Sequence, residues 1–321
     1  MNKSPYIYKI ATLFVCTLLL SSCMKEDMLK CPEKIRVYFT LPTGTGNDEA
    51  INLANVDRMH LYVFDEKGYF LGEYRDNNIF NFNADYYIEY PGGLPPGNYH
   101  FIAWGGKDEN QYTTSPSLFI KGQTTIDEAL LMFEHPNNVV TTKLHHIFHA
   151  ELPATVFPTQ NIQSFYMPLT QISNTINIRT VGLPADNNDY TFIITDNNCT
   201  YTFDSWFASH SHEAFTYSAP CIKNDAGQLS SSLNVLRLSA NRRTPQLKIL
   251  NKTTGKVLYP VGTQSGDLIW LILAAYPQNN FDKTHTYNIV LTFTGDDSTG
   301  FNVTISINGW LVNDQDEDLI V

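Results

Sequence analysis

The chain is poor in positive charge, in cysteine and in long apolar runs, and each shortage argues against a class of protein. Its 321 residues carry 21 Lys and Arg against 32 Asp and Glu, a formal net charge of −11. That balance repels phosphate backbones and anionic membrane faces, so it argues against nucleic acid as a partner and against a basic membrane-binding face. The apolar run Ile10 to Leu20 would cover only about half of a ~30 Å hydrocarbon core at 1.5 Å per residue, too little for a stable span. Catalytic signatures are missing as well: the chain has no Gly-x-Ser-x-Gly elbow, no His-Glu-x-x-His, no Walker A loop and no Gly-x-Gly-x-x-Gly. No enzyme and no cofactor is implied. What is plentiful is aromatic: 18 Tyr and 19 Phe, beside only 17% charged residues, suit a β-rich extracytoplasmic protein.

The five cysteines divide by position. Lys3 and Lys9 precede the run Ile10 to Leu20, and Leu20-Ser21-Ser22-Cys23 closes it with small residues. These are the three parts of a secretory signal, and the ending resembles the bacterial lipobox. Residues 1–22 are therefore expected to be a lipoprotein signal peptide, Cys23 the lipid attachment point and residues 23–33 a tether. An ordinary signal peptide with a chance cysteine is the alternative. Two or more acyl chains at ~0.8 kcal/mol per buried CH₂ would hold the protein durably at a membrane. Lys25, Glu26 and Asp27 follow at once and look like the surface-export signal of some Gram-negative lipoproteins; a solvated tether is the other reading. The expected location is the outer membrane, lipid-anchored and surface-exposed. Cys16 leaves with the signal, so Cys31, Cys199 and Cys221 remain. An odd number permits at most one intrachain bridge, for which Cys199 and Cys221 are the candidate pair, with free buried thiols as the alternative.

Most of the rest carries the two-residue period of half-buried strands. Ile35, Val37 and Phe39 begin the first one; Tyr190, Phe192 and Ile194 share a face, as do Tyr287, Ile289, Leu291 and Phe293. Asp65 to Gly68 and Asn251 to Gly255 each place a glycine where a hairpin needs positive φ. Leu268 to Leu273 shows no alternation and is expected to be a strand buried on both faces. One helix is expected over Ile126 to Glu134, capped by Thr125 with Glu128 three residues on and ended by Pro136. Strands at about ten-residue spacing with one short helix describe an all-β protein of β-sandwiches. Prolines near residues 157–168 suggest a division into an N-terminal domain, 34–162, and a C-terminal domain, 163–321.

Metal chemistry has one candidate, His145, His146 and His149, because the outer two would share a helix face; no third ligand is visible nearby, and surface or loop histidines are the favoured reading, so no metal is expected. Asp314, Asp316 and Asp318 open like an EF-hand loop, but Leu319 stands where glycine is required. Of four tryptophans, Trp104 and Trp270 read as core. Trp206 is the one expected to be exposed as a glycan platform.

The segments in order resemble a known family. After the lipobox come Cys31-Pro32, "VDRMHLYVFDEKGYFLGEYR" (56–75), "LPPGNYHFIAWGG" (94–106), "LNVLRLSANRRTPQLKILNKTTGKVLY" (233–259) and "FNVTISINGWLV" (301–312). Together these look like the FimB-like anchor and accessory lipoproteins of type V fimbriae. The resemblance implies two transthyretin-like β-sandwich domains in tandem, no catalysis, and attachment or capping of a fimbrium at the cell surface. It further implies a fimbrillin-type structural subunit as partner, reached by strand addition. The candidate donor is the stretch from Trp310 to Val321, with Leu311, Leu319 and Val321 as plugs; an ordinary edge strand with a frayed tail is the alternative. A surface glycan-binding or adhesin lipoprotein is the other function to weigh.

Overall fold

The computed structural model describes residues 34–40, 56–90, 94–158, 161–183, 189–208, 214–296 and 300–312. The alternating segments form strands because each buries every second side chain: in Ile35–Thr40 the residues Ile35, Val37 and Phe39 are buried and their neighbours are not. The architecture is all-β, two sandwiches in tandem, as the patterning predicts.

In the first sandwich, Ile35–Thr40 lies between Gln163–Pro168, its parallel partner, and Tyr87–Tyr90, its antiparallel partner. The facing five-stranded sheet runs Thr170–Gln171, Phe148–Val156, Gly97–Gly105, Met59–Asp65, Phe70–Asp76. Val37, Phe39, Leu61, Val63, Phe101 and Met167 meet between them. Gln163–Pro168 and Thr170–Gln171, both beyond the division expected at residue 162, belong to these sheets.

The second sandwich repeats the plan. Its first strand, Asn174–Val181, has Leu229–Val235 as antiparallel partner and Thr286–Asp296 as parallel partner. Gly300–Ile307 and Trp310–Leu311 extend that sheet to six strands. Opposite lies a sheet of Val257–Tyr259, Gln246–Asn251, Tyr190–Asp196, Phe215–Pro220 and Val139–Val140. A small third sheet joins the halves: Tyr112–Ser115 and Leu130–Phe133 pair with Thr200–Thr202. Phe203, just past that strand, packs edge-on against Tyr62 at 4.9 Å between ring centres and reaches Phe64 and Trp104 at 6.1 Å. The second core therefore continues without a break onto the outer face of the first sandwich.

Two elements differ from the sequence expectation. Leu268–Ala275 is an α-helix, not a strand, and seven of its eight residues are buried. An element buried all round has no polar face, so its periodicity cannot separate strand from helix. The stop signals could: the carboxylate of Asp267 accepts from the Trp270 backbone N–H at 2.8 Å, and Pro277 follows the last turn. Over 126–134 the reverse holds. Glu128 does accept from the Thr125 backbone N–H at 3.1 Å, but the chain makes one turn and then runs as the strand Leu130–Phe133. Pairing on both sides of that strand outweighs a local helix of two turns.

Candidate functional site

The residues singled out by the sequence fall into three groups. Cys23, Lys25, Glu26, Asp27, Leu319 and Val321 lie outside the described residues. A second group is separated by the fold. Cys199 and Cys221 are free thiols, which corrects the candidate disulfide. Tyr190–Asp196 explains why: Cys199 lies a few residues past its last residue, whereas Cys221 follows Pro220, the partner of Thr191 at the other end. A strand rising about 3.3 Å per residue keeps them far beyond the ~7 Å that a disulfide tolerates between Cα atoms. Burial raises both thiol pKa values, that of Cys221 to about 11, so neither is a reactive thiolate. The three histidines also part. His145 lies 3.8 Å from the Asp108 carboxylate and His146 bonds the Ser173 hydroxyl at 2.9 Å. His149 sits in the strand Phe148–Val156 and donates from Nε2 to the Phe203 carbonyl at 2.8 Å, with burial lowering its pKa to about 4. Among the described residues no cluster of His, Cys, Asp and Glu could hold a metal.

The third group comprises the tryptophans and Leu311, of which Trp310 and Leu311 lie at the edge of the second sandwich. Trp104 and Trp270 are buried, as the patterning predicts. Trp206 is exposed, but the guanidinium of Arg237 lies 5.1 Å over its ring. Trp310 is exposed too, 63%, with Leu311 at 62%. Their position follows from a two-residue hairpin. Asn308 and Gly309 have φ of 50° and 86°, the pair of positive values a type I′ turn requires and Asn-Gly supplies at least cost. The Asn308 backbone N–H donates to the Asn288 carbonyl at 2.9 Å, and its side-chain oxygen accepts from the Asn288 N–H at 2.8 Å. Past the turn, Trp310 pairs with Ile307 and Leu311 with Ser306. Val312 then donates to the Ile305 carbonyl at 2.9 Å and is buried. Trp310–Leu311 is thus a short outermost strand with one side unpaired among the described residues.

Beneath this edge runs a groove of about 370 Å³ between the hairpin and the segment that leaves the buried helix. Tyr276 and Trp310 stand on its walls, with Gln278, Asn279, Asn280 and Asn308 beside them. Sequence reasoning passed over Tyr276 and the amides after it. Only the unrecognised helix end, Tyr276-Pro277, could have drawn attention to them.

Comparison with known proteins agrees with this architecture. The family model described as fimbrillin-A associated anchor proteins Mfa1 and Mfa2 matches residues 28–316. Among solved structures, the fimbrial anchor protein Mfa2 of Porphyromonas gingivalis superposes with a TM-score of 0.70 at 20% identity, covering 88% of this chain and 99% of that one. A Bacteroides thetaiotaomicron protein described provisionally as polysaccharide binding gives 0.72 at 20% identity, over 89% and 99%. A provisionally described adhesin of Bacteroides ovatus gives 0.65 at 17% identity, over 90% and 96%. No curated protein matches.

Proposed function

Since the chain belongs to the fimbrillin-A associated anchor protein family, we propose that it is a non-catalytic outer-membrane lipoprotein that holds a fimbrium at the cell surface. Lipid on Cys23 supplies the hold on the membrane, and Lys25, Glu26 and Asp27 direct the protein outward. The partner is a fimbrillin-type structural subunit, bound by strand addition: main-chain hydrogen bonds supply affinity and alternate side chains set register.

The observation that carries this reading is the place of the first strand. Ile35–Thr40 is the middle strand of its sheet, paired on both sides, with Ile35, Val37 and Phe39 almost fully buried. Removing it would expose three large apolar side chains and two rows of backbone groups. It would also separate the body from the lipid. A subunit that keeps this strand opens no new groove there, so growth stops at it. The donor is the segment that continues from the outermost strand Trp310–Leu311. Because the chain is pinned through Val312, the donated part starts at residue 313 and includes Leu319 and Val321.

Deleting residues 313–321 is the test. The shortened protein is expected to fold and to stay in the membrane fraction, while fimbriae are shed into the medium. Fimbriae that remain attached and of normal length overturn the donor-strand reading. Cys23→Ala tests the anchor separately: the protein should move to the soluble fraction, and a mutant that stays membrane-bound overturns the lipid hold.

A further inference from the structure

We propose that the groove under Trp310 is a carbohydrate-binding site. Aromatic rings bind sugars through open faces, and the exposed aromatics of this molecule differ in that respect. Tyr38 stacks on Tyr166 at 5.2 Å and 19° and lies 5.2 Å from Tyr87. The Arg36 guanidinium sits 4.7 Å over Tyr87, so that array offers edges and hydroxyls rather than faces. Arg237 occupies a face of Trp206 in the same way. Tyr276 and Trp310 have no aromatic or cationic partner among the described residues, and both stand on one concave surface.

The polar groups between the two rings fit the same ligand. Asn279 donates from Nδ2 to the Tyr287 hydroxyl at 2.9 Å, which fixes its amide in the groove lining. The side chain of Gln278 makes no hydrogen bond among the described residues, and Asn280 uses only its oxygen, which accepts from the Asp282 N–H at 2.9 Å. Side-chain amides offer a donor and an acceptor together, the match for vicinal hydroxyls. The groove volume of about 370 Å³ lies in the ~300–1,000 Å³ range of small-ligand sites lined by aromatics and a few convergent polar groups. An added peptide strand would instead be read by the open backbone edge of Trp310–Leu311, not by amides in a cleft. The site stands apart from the anchor reading, because the hairpin holds Trp310 in place whether or not residues beyond 312 are donated.

The full chain, purified in detergent, would be titrated with maltohexaose, mannohexaose, chitohexaose and a galacturonic acid hexamer by calorimetry and tryptophan fluorescence. At least one should bind. Trp310→Ala and Tyr276→Ala should each weaken binding by about tenfold or more, as the loss of an aromatic anchor does. Trp206→Ala should leave it unchanged, and circular dichroism should show all three folded. The inference is overturned if none of the four binds, or if binding survives both groove substitutions. A peptide of residues 313–321 that quenches Trp310 fluorescence while no sugar does would overturn it in favour of a strand. Fimbrial retention by cells carrying Tyr276→Ala reads the anchor function separately and should be normal.

Discussion

The two sandwiches start alike and finish differently. In each, the first strand lies between an antiparallel partner and a later parallel one: Tyr87–Tyr90 and Gln163–Pro168 in the first, Leu229–Val235 and Thr286–Asp296 in the second. In the first, the parallel partner is itself the sheet edge. In the second, an Asn-Gly hairpin adds two further strands and carries the sheet outward to Trp310–Leu311. The return to the parallel partner differs as well. It passes through the nine-residue strand Phe148–Val156 in the first half and through the buried helix Leu268–Ala275 in the second. One plan is therefore finished in two ways: the first half is closed around its first strand, and the second leaves an outermost strand with one side unpaired among the described residues. The price of joining them is a shared core, in which a change in one half is felt in the other.

Trp104→Ala tests that shared core and should have the largest effect. Trp104 is fully buried in the first half and packs towards Phe203 of the second. Its removal should cost about 3–5 kcal/mol, seen as a lower midpoint of one cooperative calorimetric transition. Two separate transitions in the unmodified protein would break the shared-core account.

Acid should loosen the same junction. Burial holds the His149 pKa down at about 4, against 6.5 for an ordinary histidine. Above 6.5 both folded and unfolded chains keep it neutral, and stability is unaffected. As pH falls from 6.5 to 4 the unfolded chain takes the proton first, so about 3 kcal/mol should be lost across that window. Denaturant unfolding at pH 7 and pH 4.5 measures it. His149→Gln should flatten the part of the slope that this residue supplies; an unchanged slope would exclude His149 as its source.

Asp267 sharpens the contrast between helix and strand. Asp267→Ala removes the cap on Trp270 and the ion pair with Arg243, whose Nε lies 2.5 Å from Oδ2. A loss of about 1 kcal/mol is expected, with Asp267→Asn recovering most of it because asparagine also caps. Equal losses in the two variants would assign the effect to the ion pair. The smallest effect belongs to the thiols: with Cys199 and Cys221 free, a reductant should not shift the melting temperature. A drop of several degrees would reveal a bridge.

Legibility followed burial. Strands with one face in the core, such as Ile35–Thr40 and Thr286–Asp296, were readable because alternation reports that face directly. The hairpin at Asn308-Gly309 was half readable, since the glycine marks a sharp change of direction but not what lies beyond it. The helix Leu268–Ala275 was not readable by periodicity, because it has no solvent side. The strand Leu130–Phe133 was misread because its partners lie near residues 112 and 200 in the chain. Trp310 and Leu311 are named from sequence only as donor-strand residues, and the opposite groove wall at Tyr276 is not named at all.

What the sequence by itself determined is what short-range chemistry can specify: the β class, the small-residue ending at Cys23, the turn glycines, and the ordered motifs that mark the family. Only the tertiary structure decided which thiols stay apart, which tryptophan faces are open and where three amides and two rings converge. Those outcomes depend on contacts between residues far apart in the chain. Tyr276 and Trp310 line one groove because a buried helix and a terminal hairpin pack side by side, and no local pattern encodes that convergence.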